Sequence, residues 1–302
     1  MSIAGEPTIS NSIDKPDFTE PVTVIEKFMS RFIDDRPLPI NLRQAVQYAL
    51  LGGGKRLRPI LAVRCCQAVG GNLEEALAPA AAIEMIHAFS LVHDDLPAMD
   101  DDDLRRGQPT LHKATSEAMA ILAGDVLLGL AFELLASKVE PAGRCGRITS
   151  ELARATNDMI AGQVYDTLGQ GEGGADDLER LATIHRHKTG ALICCACRMG
   201  GIAGDGSDQQ IEALGRFGEA IGLMFQIVDD LLDVTASTEQ LGKTAHKDAQ
   251  QGKLTYPGLL GVEKSRREVN RLHKSALVAL ETLGGAAGHL GQLSAYLATR
   301  MR

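Results

Sequence analysis

The chain has 302 residues, of which 44% are hydrophobic and only 4% aromatic. A formal net charge of −8 and the absence of any long run of Lys and Arg argue against sequence-independent binding of nucleic acid phosphates. The abundance of Ala, Leu and Gly favours closely packed helices over a β-sandwich, so we expect an all-α protein.

The N-terminal segment is predicted to be a flexible, polar leader at residues 1–17, followed by a single domain at residues 18–302. The leader lacks a basic start followed by an apolar core. The most apolar long stretch, residues 118–136, is interrupted by Asp125 and Glu133. We therefore expect a cytoplasmic protein without a membrane span.

Six cysteines lie mostly in adjacent clusters, which suits reduced thiols packed in helices better than a disulfide framework. Cys194 and Cys197 form a C-x-x-C pair. A zinc site would need two further ligands, such as His185 and His187, and a thioredoxin-like site would need a preceding strand. Small buried side chains are the favoured interpretation.

Helical periodicity begins at Phe18 and recurs between glycine-rich or polar turns, which predicts about ten helices and no strand. One helix is predicted to begin near Pro79, a residue suited to a first helical turn, and to end near Asp95 before Pro97. A second long helix is predicted at residues 208–234.

Three positive charges follow the glycine run at residues 52–54, namely Lys55, Arg56 and Arg58. Glycines let an anion approach the backbone closely, so this segment indicates an anion site. A P-loop is excluded because Lys55 is followed by Arg rather than by Ser or Thr.

An acidic segment, H-D-D-L-P-A-M-D-D-D-D-L-R-R-G, occupies residues 93–107. Because Pro97 stops the helix, the turn can bring Asp100 back toward Asp94 and Asp95. A loop that only improves solubility is the alternative. The apolar residues interleaved with these aspartates favour metal binding instead.

The second long helix carries D-D-x-x-D, formed by Asp229, Asp230 and Asp233, and begins with a capping box of Ser207 and Gln210. Side chains three or four positions apart share a helix face, so Asp229 and Asp233 present two carboxylates to one point. A solvated acidic face is the alternative, and this motif alone leaves both interpretations open.

The two acid clusters offer oxygen ligands without clustered His or Cys, which indicates Mg²⁺ rather than zinc. The spacing of a Ca²⁺ loop is absent. Further cations occur after the acidic turn and in other turns or helix starts: Arg105, Arg106, Lys188, Lys243 and Lys253. The pattern predicts a site for two diphosphates, one held through metal and one by Arg and Lys alone.

The order of the motifs resembles the trans-prenyltransferase family, and within it the bacterial-type farnesyl diphosphate synthases, over nearly the whole chain. The motifs are G-G-K-R-L-R-P at 53–59, D-D-L-P-A-M-D-D-D-D-L-R-R-G at 94–107, I-L-A-G-D at 121–125, G-Q-V-Y-D at 162–166, H-K-T-G-A-L at 187–192, F-Q-I-V-D-D-L-L-D at 225–233 and G-K-L-T-Y-P at 252–257. The resemblance implies a homodimer whose all-α isoprenoid synthase bundle surrounds a central cavity. It also implies condensation of isopentenyl diphosphate with dimethylallyl or geranyl diphosphate, mainly to farnesyl diphosphate.

The resemblance also assigns roles to single residues. The ligands of three Mg²⁺ ions in the substrate complex would be Asp94, Asp95, Asp100, Asp229, Asp230 and Asp233. Isopentenyl diphosphate would be held by Lys55, Arg58, His87 and Arg106. The allylic diphosphate would be held by Arg105, Lys188, Thr189, Gln226, Lys243 and Lys253. Gln163 and Asp166 would line the pocket, and Phe89 with Ser90 would form its floor.

The resemblance implies that product length depends on Phe89, which lies five residues before Asp94 and so about 7.5 Å along the helix. In the family, an aromatic floor at this position ends growth near fifteen carbons. An aromatic residue packed in the core is the alternative. Burial of a further isoprene unit would gain about 4 kcal/mol, so a steric block is needed to stop elongation. One departure from the family pattern, Thr115 and Ser116 before Glu117, weakens the product assignment more than the reaction assignment.

Other functions compete with this interpretation. A geranyl or geranylgeranyl diphosphate synthase would share every motif. A class I terpene cyclase would share the first acid cluster but usually carries a different second one. A non-catalytic acidic, helical binding protein would give no reason for the positions of the Lys and Arg residues.

Overall fold

The structure, a computed structural model, describes residues 19–169, 176–235 and 254–299. Within these ranges the chain forms thirteen α-helices and only one short β-hairpin, which confirms the all-α class. The predicted leader at residues 1–17 lies outside the described residues.

The helices follow one another along the chain with mostly short connections. They are α1 Thr19–Asp34, α2 Ile40–Leu51, α3 Leu57–Ala68, α4 Leu73–Asp94, α5 Leu111–Ala114, α6 Glu117–Lys138, α7 Ala142–Thr167, α8 Asp177–His185, α9 Ala191–Ala203, α10 Asp208–Thr235, α11 Tyr256–Leu260, α12 Val262–Leu280 and α13 Gly288–Thr299. A π-helical turn, Arg186–Gly190, joins α8 to α9, and a 3₁₀ stretch, Glu281–Ala287, joins α12 to α13.

The hairpin consists of β1 Leu104–Arg105 and β2 Gln108–Pro109, paired antiparallel with Leu104 opposite Pro109. The expectation of no strand is wrong at this point. Arg106 and Gly107, the two central residues of its turn, have φ of 54° and 77°. Two consecutive positive φ angles are typical of the tightest hairpin turns, which explains why strand pairing begins here.

Helix α4 begins at Leu73, six residues before the predicted start at Pro79, which lies buried inside the helix. The start is set by a capping box. Glu75 N–H donates to Asn72 Oδ1 at 3.1 Å, and Asn72 N–H donates to Glu75 Oε2 at 2.9 Å. These bonds satisfy two N–H groups that a helix end otherwise leaves unpaired, so they fix the boundary better than a proline does.

The capping box predicted for α10 is confirmed. Gln210 N–H donates to Ser207 Oγ, and Ser207 N–H donates to Gln210 Oε1. The helix then runs to Thr235, within one residue of the predicted end.

Close packing of α4, α3, α9 and α10 forms the centre of the bundle. A Cβ atom added at Gly200 of α9 would lie 2.2 Å from the carbonyl oxygen of Ala62 in α3. One added at Gly218 of α10 would lie 2.7 Å from the Cα atom of Cys194 in α9. The helices approach this closely because glycine has no side chain, as the composition predicts.

All six cysteines are free thiols, and four of them are buried. Burial raises the pKa of Cys195 and of Cys197 well above the ordinary thiol range. Both thiols are therefore protonated at neutral pH, which suits packing rather than metal binding.

Two helices, α4 and α6, are long and apolar enough to cross a membrane by length and composition alone. In α4, 72% of the apolar stretch is buried within the bundle, as in the core helix of a globular protein. In α6 the buried share is 44%, so this helix presents an apolar surface to its surroundings.

Candidate active site

The acidic turn after α4 folds back on the end of the helix, as the sequence predicts. Asp100 N–H donates to the carbonyl oxygen of Asp94 at 2.8 Å. The pKa of Asp94 is raised to about 6, chiefly by burial and in part by the neighbouring Asp100, while Lys188 opposes the shift. The ionised Asp94 carboxylate is therefore costly without a cation beside it.

Asp95 and Arg105 form a bidentate ion pair in which Arg105 Nε lies 2.8 and 2.9 Å from the two carboxylate oxygens. Asp95 is 3% exposed, and Arg105 also lies 3.7 Å from Asp102. These atoms are thus engaged with one another in the structure, and the roles of Asp95 as a metal ligand and of Arg105 as an allylic diphosphate ligand stay predictions. A buried bidentate pair is a strong interaction, and it fixes the hairpin against the end of α4.

Lys188 lies close to Asp94 and Asp100 of the first acid cluster. Its Nζ atom is 2.6 Å from Asp166 Oδ2 of α7. Burial lowers the pKa of Lys188, but Asp166, Asp100 and Asp94 more than offset this and leave the pKa raised. Four predicted site residues, Lys188, Asp166, Asp94 and Asp100, are therefore brought together by the fold.

The π-turn positions Lys188 and the half-buried Thr189 beside it. A Cβ atom at Gly162 of α7 would lie 2.2 Å from the backbone nitrogen of Lys188. The turn can thus approach α7 only because residue 162 is glycine. A π-turn inside a helix commonly marks a functional site, since it displaces one residue from the regular helical face.

In the second acid cluster, Asp230 is buried and bound internally. Its Oδ2 atom accepts a hydrogen bond from Tyr256 N–H at 2.9 Å and lies 3.4 Å from His185 Nε2. The rings of His185 and Tyr256 stack at 5.8 Å. Asp230 therefore anchors α10 to the start of α11, and its role as an assisting metal ligand stays a prediction.

The other predicted residues of this helix, Gln226, Asp229 and Asp233, are half-buried. They recur at steps of three and four, so they share one face of α10. Lys243 and Lys253, both predicted to hold the allylic diphosphate, lie outside the described residues.

Arg56 is the internal member of the cations that follow the glycine run. Its Nη1 donates to Glu84 Oε1 at 2.8 Å, and its Nε donates to Glu26 Oε1 at 2.9 Å. Arg56 is buried and has a φ of 48°. Two carboxylates thus neutralise this guanidinium inside the protein.

Arg58 and Arg106 are paired differently. Arg58 Nε is buried with no hydrogen-bond partner among the described residues, and burial lowers the pKa of Arg58 to about 10. Arg106 donates to the carbonyl oxygen of Gly53, and its guanidinium packs on Gly54. The hairpin therefore returns Arg106 to the glycine turn, beside the exposed Lys55. These cations are placed to receive an anion.

His87 of α4 faces the same cations. Burial lowers the pKa of His87 well below its ordinary value, and four arginines lower it further: Arg58, Arg106, Arg105 and Arg56. The imidazole is therefore neutral at pH 7 and can act as a hydrogen-bond donor without adding charge. Ser90 Oγ, one turn later, donates to the carbonyl oxygen of His87 at 2.9 Å.

Phe89 lies on α4 and is 8% exposed. Its ring packs edge-on against His93 at 5.0 Å, and His93 Nε2 lies 3.1 Å from the carbonyl oxygen of Ile121. Gln163, also predicted for the pocket, donates to Thr167 Oγ1, while its own Oε1 is buried without a partner among the described residues.

The donor chemistry fits Mg²⁺. Within residues 19–169, 176–235 and 254–299, no three His, Cys, Asp or Glu side chains lie close enough to hold a metal ion by themselves. Mg²⁺ usually takes one or two carboxylates and completes its shell with phosphate oxygens and water. The oxygen donors of Asp94, Asp100, Asp229 and Asp233 suit a metal that arrives with a diphosphate.

Sequence reasoning missed Glu84 and Glu26. Glu84 stands alone in an apolar part of α4 and is 3% exposed. A carboxylate is seldom fully buried without a partner, so its isolation in an apolar stretch was a signal of an internal ion pair. Its partner, Arg56, is 28 residues away and could not be assigned from spacing.

Comparison with known proteins places these features in context. A family described as Polyprenyl synthetase matches residues 40–280. The chain is 49% identical over 271 residues to geranylgeranyl pyrophosphate synthase 11, chloroplastic, of Arabidopsis thaliana, covering 87% of this chain and 75% of that enzyme.

Solved structures of two enzymes have the same fold. One is an FPP/GFPP synthase from Zymomonas mobilis, with a TM-score of 0.81, 35% identity and coverage of 93% of this chain and 96% of that one. The other is a geranylgeranyl pyrophosphate synthetase from Pyrococcus horikoshii, with a TM-score of 0.83, 31% identity and the same coverage.

These comparisons correct one prediction and support another only in part. Three of the Arabidopsis relatives are chloroplastic enzymes by name, which contradicts the predicted cytoplasmic location. The same relatives are named as geranylgeranyl rather than farnesyl pyrophosphate synthases. The resemblance is therefore confirmed for the wider family, while the farnesyl product stays a prediction that these relatives support less than geranylgeranyl diphosphate.

Proposed function

Because the chain belongs to the polyprenyl synthetase family and is a prenyltransferase, we propose that it condenses isopentenyl diphosphate with allylic diphosphates to give geranylgeranyl diphosphate. The observation that carries the product assignment is 49% identity to a geranylgeranyl pyrophosphate synthase across 87% of the chain. Farnesyl diphosphate is the second candidate, favoured by the aromatic Phe89.

Isopentenyl diphosphate binds, in this proposal, at the glycine turn. Arg58 and Arg106 supply charge that no internal carboxylate pairs with in the described part of the chain, and Lys55 adds an exposed ammonium. The neutral His87 donates a hydrogen bond. Charge-assisted bonds from guanidinium to phosphate are strong and directional, so they orient the substrate as well as hold it.

The allylic diphosphate binds at the acid clusters. Asp94 and Asp100 on one side and Asp229 and Asp233 on the other would hold Mg²⁺, and the number of ions stays a prediction. When bound, the metal would neutralise negative charge on the departing diphosphate. Lys188, fixed by Asp166 at 2.6 Å, contributes a positive charge at the same place.

The residues of the site then support ionisation of the allylic carbon–oxygen bond. Lys188 stabilises the negative charge that develops on the leaving diphosphate. The bound isopentenyl double bond attacks the allylic carbocation, and a proton is lost to the released diphosphate, as the family resemblance implies. Each tenfold gain in rate needs about 1.4 kcal/mol of selective stabilisation of this transition state.

A direct test is incubation of the purified protein with Mg²⁺, labelled isopentenyl diphosphate and each allylic starter, followed by chromatography of the dephosphorylated products. Twenty-carbon products are expected, and chelation of Mg²⁺ with EDTA is expected to stop turnover. Fifteen-carbon products that lengthen in Phe89→Ala would instead support the farnesyl candidate. No diphosphate release with any starter would overturn the proposal as a whole.

The resemblance also implies a homodimer, and α6 offers a surface for one. Ile121 and Leu122 are about half exposed on this helix, whose apolar stretch is only 44% buried. An apolar face of this kind needs a partner to remove it from water. A second copy of the chain is the partner that we propose, and the absence of a membrane span stays a prediction.

A further inference from the structure

Glu84 is a buried carboxylate whose charge acts on Arg56, Arg58 and Arg106. It lies in α4, is 3% exposed, and accepts a bond from Arg56 Nη1 at 2.8 Å. Its position three residues before His87 places both side chains on one face of α4. That face meets the cations predicted to hold isopentenyl diphosphate.

The influence of Glu84 extends beyond Arg56. Burial lowers the pKa of both Arg58 and Arg106, and in each case the carboxylate of Glu84 is the largest opposing influence. Arg58 and Arg106 also repel one another, since each lowers the pKa of its neighbours. Guanidinium groups that lie close together and are partly removed from water need an internal anion to stay together before a substrate anion arrives.

The backbone conformation at Arg56 is linked to the ion pair between Arg56 and Glu84. Arg56 immediately precedes the first turn of α3 and has a left-handed φ of 48°, which a side chain of this size seldom adopts. The bond to Glu84 connects Arg56 to α4. Lys55 and Arg58 flank Arg56 in the chain, so the direction in which they point depends on how Arg56 is held.

We propose that Glu84 is a positioning residue of the isopentenyl diphosphate site. Glu84 holds Arg56, and through Arg56 it sets the geometry of Arg58 and Arg106. The inference rests on the proposed function, because it assigns a role within that substrate site. Glu84 does not contact substrate in this account. The second carboxylate that binds Arg56 is Glu26 of α1. The side chain of Glu26 is 37% exposed, so it pairs with Arg56 from the solvent side.

The direction of the kinetic effect separates positioning from a simple change in charge. Glu84→Gln keeps the shape of the side chain but removes one negative charge close to the site. If only the net field mattered, this change would tighten the binding of a diphosphate. If Glu84 positions the arginines, KM for isopentenyl diphosphate rises about tenfold or more, because small displacements of binding groups are costly.

The test measures KM for isopentenyl diphosphate, KM for the allylic diphosphate and kcat in the wild type, Glu84→Gln and the matched control Glu74→Gln, which removes an exposed carboxylate from the same helix. We expect a selective rise in KM for isopentenyl diphosphate in Glu84→Gln and values within about twofold of the wild type in the control. An unchanged or lower KM for isopentenyl diphosphate, or an equal rise for both substrates, would overturn the inference.

A double variant keeps the test decisive if Glu84→Gln folds poorly. Removing both members of a buried ion pair is often neutral for stability, whereas removing one is costly. Arg56→Gln with Glu84→Gln should therefore regain thermal stability and still show the raised KM for isopentenyl diphosphate. Recovery of a normal KM in the double variant would show that Glu84 serves stability alone. A wild-type enzyme without turnover would instead refute the proposed function.

Discussion

Asp229 and Asp230 are adjacent on α10, but their surroundings differ. Asp230 is buried and accepts the backbone N–H of Tyr256, whereas Asp229 is half-buried on the face shared with Gln226 and Asp233. The two side chains therefore act as controls for one another. Replacing a metal ligand should lower activity, whereas replacing a residue that stabilises the fold should lower the free energy of unfolding.

Asp230→Ala should lower the free energy of unfolding by about 1–3 kcal/mol, because Tyr256 N–H would be left buried without its acceptor. Asp229→Ala should instead lower kcat by about a thousandfold or more, with little change in stability. Urea denaturation and an assay of diphosphate release measure the two effects. Wild-type stability in Asp230→Ala would contradict the assignment of Asp230 as an anchor.

His87 predicts a specific pH dependence of stability. Its folded-state pKa is lowered well below the ordinary value of 6.5, so below pH 6.5 the unfolded chain binds a proton that the folded chain does not. This single group therefore destabilises the fold progressively as the pH falls below 6.5. At higher pH both states carry a neutral imidazole, and the effect vanishes.

The matching variant is His87→Gln, which cannot titrate in this range. The loss of unfolding free energy between pH 7.5 and pH 5.5 should be smaller in His87→Gln than in the wild type by about 1 kcal/mol. Chemical denaturation at the two pH values measures it. Parallel losses in the two proteins would show that burial does not depress the pKa of His87.

The π-turn between α8 and α9 is the element that brings Lys188 to the acid cluster. Its close approach to α7 at Gly162 leaves no room for a side chain, since an added Cβ atom would meet the backbone nitrogen of Lys188 at 2.2 Å. Regular helical periodicity at residues 187–192 gave no indication of the extra residue in this turn. The motif predicted Lys188, and packing against α7 determined where it points.

Gly162→Ala should displace the π-turn, lower stability by about 1–3 kcal/mol and reduce kcat, because Lys188 would move away from the leaving group. Gly146→Ala on the same helix is the matched control, since nothing lies within 4 Å of its added Cβ atom. Thermal unfolding and steady-state kinetics of both variants test this. Equal behaviour of the two alanines would contradict a steric role for Gly162.

The proposed homodimer would bury the exposed apolar surface of α6. Leu122→Glu places a charge on that surface and should dissociate the proposed homodimer, as measured by light scattering after size-exclusion chromatography. Val278→Glu on α12 is the control, because Val278 is similarly exposed, at 61%, on a different helix. A wild-type monomer, or a dimer that survives Leu122→Glu, would contradict this interface.

The sequence determined the helical class, the order of the motifs and the two acid clusters, because these depend on local periodicity and residue type. The tertiary structure alone decided which charges are internal. Arg56 pairs with Glu84 across 28 residues, Asp230 with Tyr256 across 26 and Lys188 with Asp166 across 22. Such partners are selected by burial and by the approach of separate helices, and no spacing rule encodes that approach. Arg56 and Arg58 are therefore equivalent in the sequence, but in the fold Arg56 pairs with two carboxylates, whereas Arg58 Nε is buried without a hydrogen-bond partner among the described residues.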